Sequence, residues 1–156
     1  MSGQAPVDPV AASALHKACF EPRGERGWSA EEFAALLASP AIMARTLSQG
    51  GRLLGLIIVQ KSHDEAEIVT ICVDSAARRH GIGRRLVEEC FFDLRNCGFG
   101  TVFLEVAVDN HEARDFYFTL GFEECGVREN YYARKGGNKV SAQVLRISLH
   151  KNTGVI

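Results

Sequence analysis

A chain of 156 residues, 46% hydrophobic and 24% charged, is long enough for one domain with a substantial core and has the make-up of an ordinary globular protein. A net charge of −1 argues against a broad nucleic-acid or anionic-membrane surface, and no apolar run is long enough to cross a bilayer. We therefore expect a single domain over 1–156, with neither nucleic acid nor membrane as a partner. The five cysteines, Cys19, Cys72, Cys90, Cys97 and Cys125, are odd in number and contain no C-x-x-C pair. That disfavours a disulfide framework and a zinc site, and we read them as small buried hydrophobes in a reducing compartment. The stretch Met1-Ser2-Gly3-Gln4-Ala5-Pro6 lacks the charged start and apolar run of a signal peptide, so the expected location is the cytoplasm.

In chain order, Val10, Ala14, Leu15 and Ala18 recur at helical spacing and predict a helix from Asp8 to Phe20. A loop follows, from Glu21 to Trp28. Ser29 has the chemistry of an N-cap and Glu32 that of its capping-box partner, with Phe33, Leu36 and Leu37 as the apolar stripe of a second short helix stopped by Pro40. Residues 41–48 and 52–61 alternate as strands around Gln49-Gly50-Gly51, an antiparallel hairpin. After a turn at 62–65, Glu67 to Val73 is a third strand. From Ile82, the positions Leu86, Val87, Cys90, Phe91 and Leu94 mark one face of a helix that Gly98 and Gly100 end. Thr101 to Val108 is apolar enough to predict a strand covered on both faces. Asn110 can cap a further helix with Ala113, Phe116, Tyr117 and Leu120 on one side, stopped at Gly121. Strands at 123–132 and 141–149, turned by Gly136-Gly137-Asn138, close the chain. The order is α-α-β-β-β-α-β-α-β-β. A leading strand would suit this architecture, and only the Pro6-Val7 region could supply one.

The stretch Arg78-Arg79-His80-Gly81-Ile82-Gly83-Arg84 stands between an apolar strand and an amphipathic helix. The first turn of a helix has amide N–H groups without intrahelical partners and the positive end of the helix dipole. Glycines let an anion approach the backbone, and the arginines add charge and forked donors, so the loop reads as a pyrophosphate cradle. The third glycine of a Rossmann fingerprint is absent, since Arg84-Arg85-Leu86 follows, and there is no G-K-[ST] of a Walker loop. Dinucleotides and nucleoside triphosphates are therefore disfavoured.

Downstream, Glu105 interrupts an apolar strand. Burying a carboxylate is costly, so it is either a strand-end or solvent-facing charge or a general base raised by apolar surroundings. Tyr117 is either a core aromatic or a proton donor. Asn110 is either a helix cap or a contact to a ligand amide. Cys72 lies beside the proposed ligand strand, but no histidine pairs with it as a nucleophile would require.

The Arg78-x-x-Gly81-x-Gly83 loop after an apolar strand resembles the acyl-CoA motif of the GNAT superfamily of N-acetyltransferases. The L-E-V…N…A…Y…G-F block from Leu104 to Phe122 is similar to the RimI group, the ribosomal-protein alanine N-acetyltransferases. So are Glu65-Ala66-Glu67-Ile68 leading into Ile71-Cys72-Val73, the Trp28-Ser29 helix start and Asn130-Tyr131-Tyr132. The resemblance implies an α+β fold with a mixed, mostly antiparallel central sheet flanked by helices. It implies acetyl-CoA as co-substrate and no metal. Ile71, Cys72 and Val73 would bond the pantetheine arm through their backbone. Arg78, Arg79, Gly81, Ile82, Gly83 and Arg84 would hold the pyrophosphate, and Asn110 would contact acetyl-CoA. Glu105 falls at the family's proton acceptor and Tyr117 at its proton donor. Trp28, Tyr131 and Tyr132 fall where the acceptor binds, and the implied acceptor is a protein N-terminal α-amine, a ribosomal protein's N-terminal alanine. Lysine or small-amine acetylation, and non-catalytic acetyl-CoA binding, are the alternatives on the same scaffold. The chain departs from the group at Ala133-Arg134-Lys135, where Pro usually follows Tyr-Tyr, and at Ser141-Ala142 in place of Asp-Ala. Both departures bear on the acceptor and leave the acetyl-CoA motif intact.

Overall fold

Among the described residues, twelve elements form one six-stranded sheet with helices on both faces. The computed structural model describes residues 6–134 and 136–150; Met1 to Ala5, most of the stretch read above for a leader, and Lys135 of the terminal hairpin lie outside the described residues. The elements are α1 (Pro9–Phe20), a 3₁₀ turn (Glu21–Arg23), α2 (Ala30–Leu37), β1 (Ile42–Gln49), β2 (Arg52–Ser62), β3 (Glu65–Val73), a second 3₁₀ turn (Ser75–Ala77), α3 (Ile82–Asn96), β4 (Thr101–Ala107), α4 (His111–Thr119), β5 (Glu123–Ala133) and β6 (Lys139–Ser148). The strands lie in the order β1-β2-β3-β4-β6-β5. All pairs are antiparallel except β3 with β4, which α3 connects as a crossover. Pro6 and Val7 are not strand, so no leading strand precedes α1 among the described residues.

Two apolar layers hold the sheet. Ile57, Val59, Ile68, Val102, Leu104 and Leu145 pack under Leu86, Val87, Phe91 and Leu94 of α3 and Tyr117 of α4. On the opposite face, Leu56, Ile58 and Cys72 pack under Ala12 and Leu15 of α1 and Phe33 of α2. The expected α3 face is the observed one. The Ser29 capping box is present in full, with Glu32 N–H on Ser29 Oγ at 3.1 Å and Ser29 N–H on Glu32 Oε1 at 3.1 Å. Arg114 fastens α4 to the sheet: Nε donates to Gln143 Oε1 at 2.9 Å and Nη1 to the Val108 carbonyl at 3.0 Å.

Three expectations are corrected. The buried face of α1 is Ala12, Ser13, Leu15 and His16, whereas Val10, Ala14 and Ala18 are exposed. Two of the buried residues are polar, and both are satisfied by Trp28: Ser13 Oγ donates to its carbonyl at 2.6 Å, and its N–H donates to His16 Nδ1 at 3.1 Å. Strand β4 is fully covered on one face and only partly on the other, where Ala107 alone is buried. Val102, Leu104 and Val106 are buried, while Thr101, Phe103 and Glu105 are half-buried, because α1 and α2 lie over β1 to β3 and stop short of β4. Of the cysteines, Cys72 and Cys90 are buried and Cys19 is half-buried, but Cys97 and Cys125 are exposed; all five are free thiols.

His16 ties α1 to the α2 entry, stacked on the Trp28 ring at 4.4 Å with 19° between planes. Burial, followed by the charge of Arg26, pulls its pKa down to about 4. The folded state thus resists the proton that the unfolded state takes up near pH 6.5. This stabilising contribution is fully present above pH 6.5 and is lost as pH falls toward 4. In His16→Asn, which has no titration there, the stability gap to wild type should narrow by about 2–3 kcal/mol between pH 7 and pH 4.5 in urea melts. A constant gap would mean that His16 does not titrate with folding.

Candidate active site

The site begins where β3 and β4 part. Their parallel pairing runs from Glu65↔Thr101 to Ile68↔Leu104 and goes no further. At that point β3 carries a bulge: Ile58 of β2 pairs with Thr70 and Val59 with Ile68, so Val69 is an extra residue. A bulge bends its strand and increases the local twist. It also shifts the alternation. Ala66 and Ile68 point to the α3 layer before the bulge; Ile71 and Val73 do so after it, and Cys72 turns to the α1 layer. Beyond the bulge, β3 stays paired with β2 up to Gly55↔Val73, and β4 stays paired with β6 up to Ala107↔Ala142. The facing edges of β3 and β4 are left without each other.

Backbone direction follows from one bond. Asp74 N–H donates to the Leu54 carbonyl at 2.8 Å, toward β2. Alternation then turns Cys72 toward β2 as well, and Ile71 and Val73 toward the cleft. Of the three residues expected to offer backbone bonds, Ile71 and Val73 face the opening. The Val73 carbonyl already accepts from Arg78 Nε at 3.2 Å and from the Cys19 thiol at 3.4 Å. Cys72 is 1% exposed, and its thiol is pushed well above the ordinary range by hydrogen bonding with Cys19 and by burial. It is a protonated core thiol rather than a nucleophile.

The basic loop follows β3 directly. Gly81 caps α3 in the left-handed region at φ 76°, and no side chain caps the first amides; Arg85 N–H is the first to reach back, to Gly81 O at 3.0 Å. Arg79 is also left-handed at φ 66°, a conformation that costs a non-glycine residue about 1 kcal/mol. Arg78, Arg79 and Arg84 are exposed, and Arg84 Nε lies 3.8 Å from Glu88. Gly83 sits against α4, where an added Cβ would lie 3.2 Å from Phe116 Cζ. The start of α3 and the helix carrying Tyr117 are therefore in contact.

Across the opening, Glu105, Asn110 and Tyr117 line one cleft of about 350 Å³ together with Ile71. Tyr117 is 6% exposed, packed edge-on to Phe122 at 5.6 Å, and burial pushes its phenol well above the ordinary range. Asn110 is a helix cap, with Oδ1 accepting from Ala113 N–H at 3.2 Å, and also a wall of the cleft. Glu105 is not caged by apolar groups. Arg128 Nη1 donates to its Oε1 at 2.7 Å, and the side chain is 18% exposed. Glu67 on β3 is pushed up by burial and then by the charge of Glu105.

On the outer side, Trp28 and Tyr132 line the cleft, and Tyr131 does not. Tyr131 is 47% exposed under the Arg128 guanidinium, whose carbon lies 4.1 Å from the ring centre. The Tyr132 hydroxyl donates to the Glu105 carbonyl at 3.2 Å. Between Arg128↔Ala142 and Tyr132↔Val140, β5 has three residues where β6 has only Ser141, so Glu129, Asn130 and Tyr131 form a bulge, with Asn130 at φ 54°, and Tyr132 resumes the pairing. Sequence reasoning missed His16 and Glu25, which complete this wall, and Arg134, which holds Glu25 from the outer cavity. Arg134 Nη1 donates to Glu25 Oε1 at 3.0 Å and Nη2 to Asp109 Oδ1 at 2.9 Å. The departure at Ala133-Arg134-Lys135 was the available signal for Arg134.

The residues present fit an acyl-CoA. An open strand edge suits an amide-bearing arm, and uncapped helix amides flanked by arginines suit a diphosphate. This is the constellation of an acyl-CoA-dependent transferase. The chain matches the acetyltransferase (GNAT) family over residues 10–122 and belongs to that family. It is an acetyl-CoA-dependent N-acetyltransferase. It is 35% identical over 112 residues to the ribosomal protein bS18-alanine N-acetyltransferase of Escherichia coli strain K12, covering 72% of this chain and 75% of that one. It is 34% identical over 147 residues to the N-alpha-acetyltransferase RimI of Mycobacterium tuberculosis, covering 86% and 91%. The crystal structure of the ribosomal-protein-S18-alanine N-acetyltransferase from Escherichia coli superposes with a TM-score of 0.84 over 99% of this chain and 96% of that one, at 28% identity.

No atom lies within 4 Å of where a Gly81 Cβ would stand, so its requirement is conformational and not steric. Gly81→Ala should lose about 1 kcal/mol in urea melts and raise KM for acetyl-CoA, while Gly81→Asn, which tolerates the left-handed region, should recover most of both. Equal losses in the two variants would contradict this.

Proposed function

We propose that this protein transfers the acetyl group of acetyl-CoA to the N-terminal α-amine of a protein, with the N-terminal alanine of a ribosomal protein as acceptor. The observation that carries the reading is that Glu105 and Tyr117 line one cleft with the open edge of β3. The bS18-alanine specificity of the Escherichia coli relative and the N-alpha activity named for the Mycobacterium tuberculosis relative support the choice of acceptor.

The thioester supplies an acyl carbon that an unprotonated amine can attack directly. An α-amine has a pKa of about 8, so much of it is protonated near neutrality. Glu105 takes that proton, through water, and Arg128 holds the carboxylate in place. Cleft-facing backbone N–H groups of Ile71 or Val73 donate to the oxygen on which charge develops. Tyr117 donates its hydroxyl proton toward the departing sulfur. Burial keeps Tyr117 a phenol at every working pH. A thiol's ordinary pKa is about 8.5, so the sulfur is the weaker base, and the hydrogen bond formed in the transition state does more than completed transfer. The acylated nitrogen gives up its second proton to solvent and the departing thiolate takes one up, so the amide and the free thiol leave neutral. Asn110 orients acetyl-CoA, Arg79 and Arg84 hold its diphosphate with the amides of Gly81 to Arg84, and Trp28 and Tyr132 border the acceptor.

Tyr117→Phe should bind acetyl-CoA as wild type does and lose about 100-fold in kcat, and Glu105→Gln should shift or flatten the rise of kcat/KM with pH. Wild-type turnover in the first or an unchanged profile in the second would remove that residue from the mechanism. The acceptor is tested with a peptide that starts with alanine and contains an internal lysine. Tandem mass spectrometry should find the acetyl group on the α-amine; acetylation of the lysine instead would establish the side-chain reading.

A further inference from the structure

The loop between α1 and α2 holds a buried carboxylate oxygen, Oε2 of Glu25, with no partner among the described residues. Buried polar atoms are almost always bonded, so two unpartnered ones in one loop, Glu25 Oε2 and Arg23 Nε, call for a partner that the described residues do not supply. The other oxygen is committed. Arg134 Nη1 holds Oε1 at 3.0 Å, and the two side chains are only 16% and 11% exposed. Asp109 fixes the far side of the same guanidinium at 2.9 Å, so Arg134 does not turn to cover Oε2. The carboxylate is thereby held rigid with one oxygen to offer.

Its position and its charge balance define what it can take. Glu25 lines the β3–β4 cleft beside Trp28 and Tyr132, and it also lines the outer cavity next to Ala133. Around it Glu25 pairs with Arg134, Glu32 with Arg26, and Asp109 with Arg134 and Arg23, while Glu21 lines the outer cavity. A second cation would find the Glu25 charge already answered by Arg134. A neutral N–H donor would find an accepting oxygen already oriented.

We propose that Glu25 is a specificity-determining residue whose Oε2 accepts a hydrogen bond from the first peptide N–H of the acceptor, the amide that follows the amine being acetylated. This rests on the polypeptide-acceptor reading above and adds what distinguishes a polypeptide from a simple amine at this site. A small primary amine has no such N–H. A polypeptide always has one, unless its second residue is proline.

The test pairs a substrate change with a protein change. An alanine-starting peptide is compared with its analogue N-methylated at the first peptide bond, using wild type, Glu25→Ala and Glu25→Gln. In wild type, methylation should lower kcat/KM about tenfold, mostly through KM, with KM for acetyl-CoA unchanged. In Glu25→Ala the unmethylated peptide should already show that loss, and methylation should cost less than twofold more. Glu25→Gln keeps an accepting oxygen and should fall between the two, which separates a lost acceptor from a disturbed loop. Methylation costing Glu25→Ala as much as it costs wild type would overturn the assignment. Failure of wild type to acetylate the unmethylated peptide at all would overturn the polypeptide-acceptor reading along with it.

Discussion

The structure depends on a two-stranded edge that is prevented from closing. Up to Ile68 and Leu104, β3 and β4 form an ordinary parallel pair. One extra residue, Val69, then bends β3, and the pairing ends. Backbone groups cannot be left buried without partners, so an opened edge inside a sheet is tolerable only where solvent or a ligand satisfies it. The strands on either side make the opening rigid. β2 holds β3 and β6 holds β4 well past the point of divergence, so the gap is a property of the folded sheet. Every residue of the candidate site is placed relative to that gap. Ile71 and Val73 line one edge, Glu105 and Asn110 come from the other strand and its exit, and Tyr117 is carried in by the helix that follows.

Each remaining feature supplies what the gap lacks. The α3 start brings uncapped amides and arginines to the end of the open edge, and its contact with Phe116 ties it to the helix of Tyr117. Burial keeps Tyr117 protonated, and the half-open face of β4 lets Glu105 meet Arg128 and water. The outer wall is polar and comes from distant parts of the chain. His16, Trp28 and Glu25 from the first two helices and their loop face Tyr132 and Arg134 from the terminal hairpin. The cleft and its polar outer wall are thus built by different parts of the fold. Strand and helix geometry sets the first, and side-chain ion pairs in loops set the second.

What was legible in the sequence was local and periodic. The apolar face of α3, the Ser29–Glu32 capping box and the Gly50-Gly51 hairpin are each set by neighbouring residues, and each is present. The glycine and arginine loop was legible as a helix start for the same reason. The α1 face was not, because its buried side includes Ser13 and His16, whose partner Trp28 lies 12 to 15 residues on. The Val69 bulge left no mark in a run of β-branched residues that reads equally well as a straight strand. The uneven cover of β4, and with it the surroundings of Glu105, depended on where α1 and α2 end in space. Glu25 and Arg134 are 109 residues apart, and each alone reads as a surface charge.

The central claim is that the open edge of β3 is the cradle for the thioester arm and acts together with the α3 start. Amide hydrogen exchange with and without coenzyme A measures that edge directly. The account predicts slowed exchange at Ile71 and Val73 together with Gly81 to Arg84, and no change at Cys72, whose amide is already turned to β2. Slowing confined to the α3 start, with Ile71 and Val73 unchanged, would show that the diphosphate binds and the strand edge does not, and would contradict it.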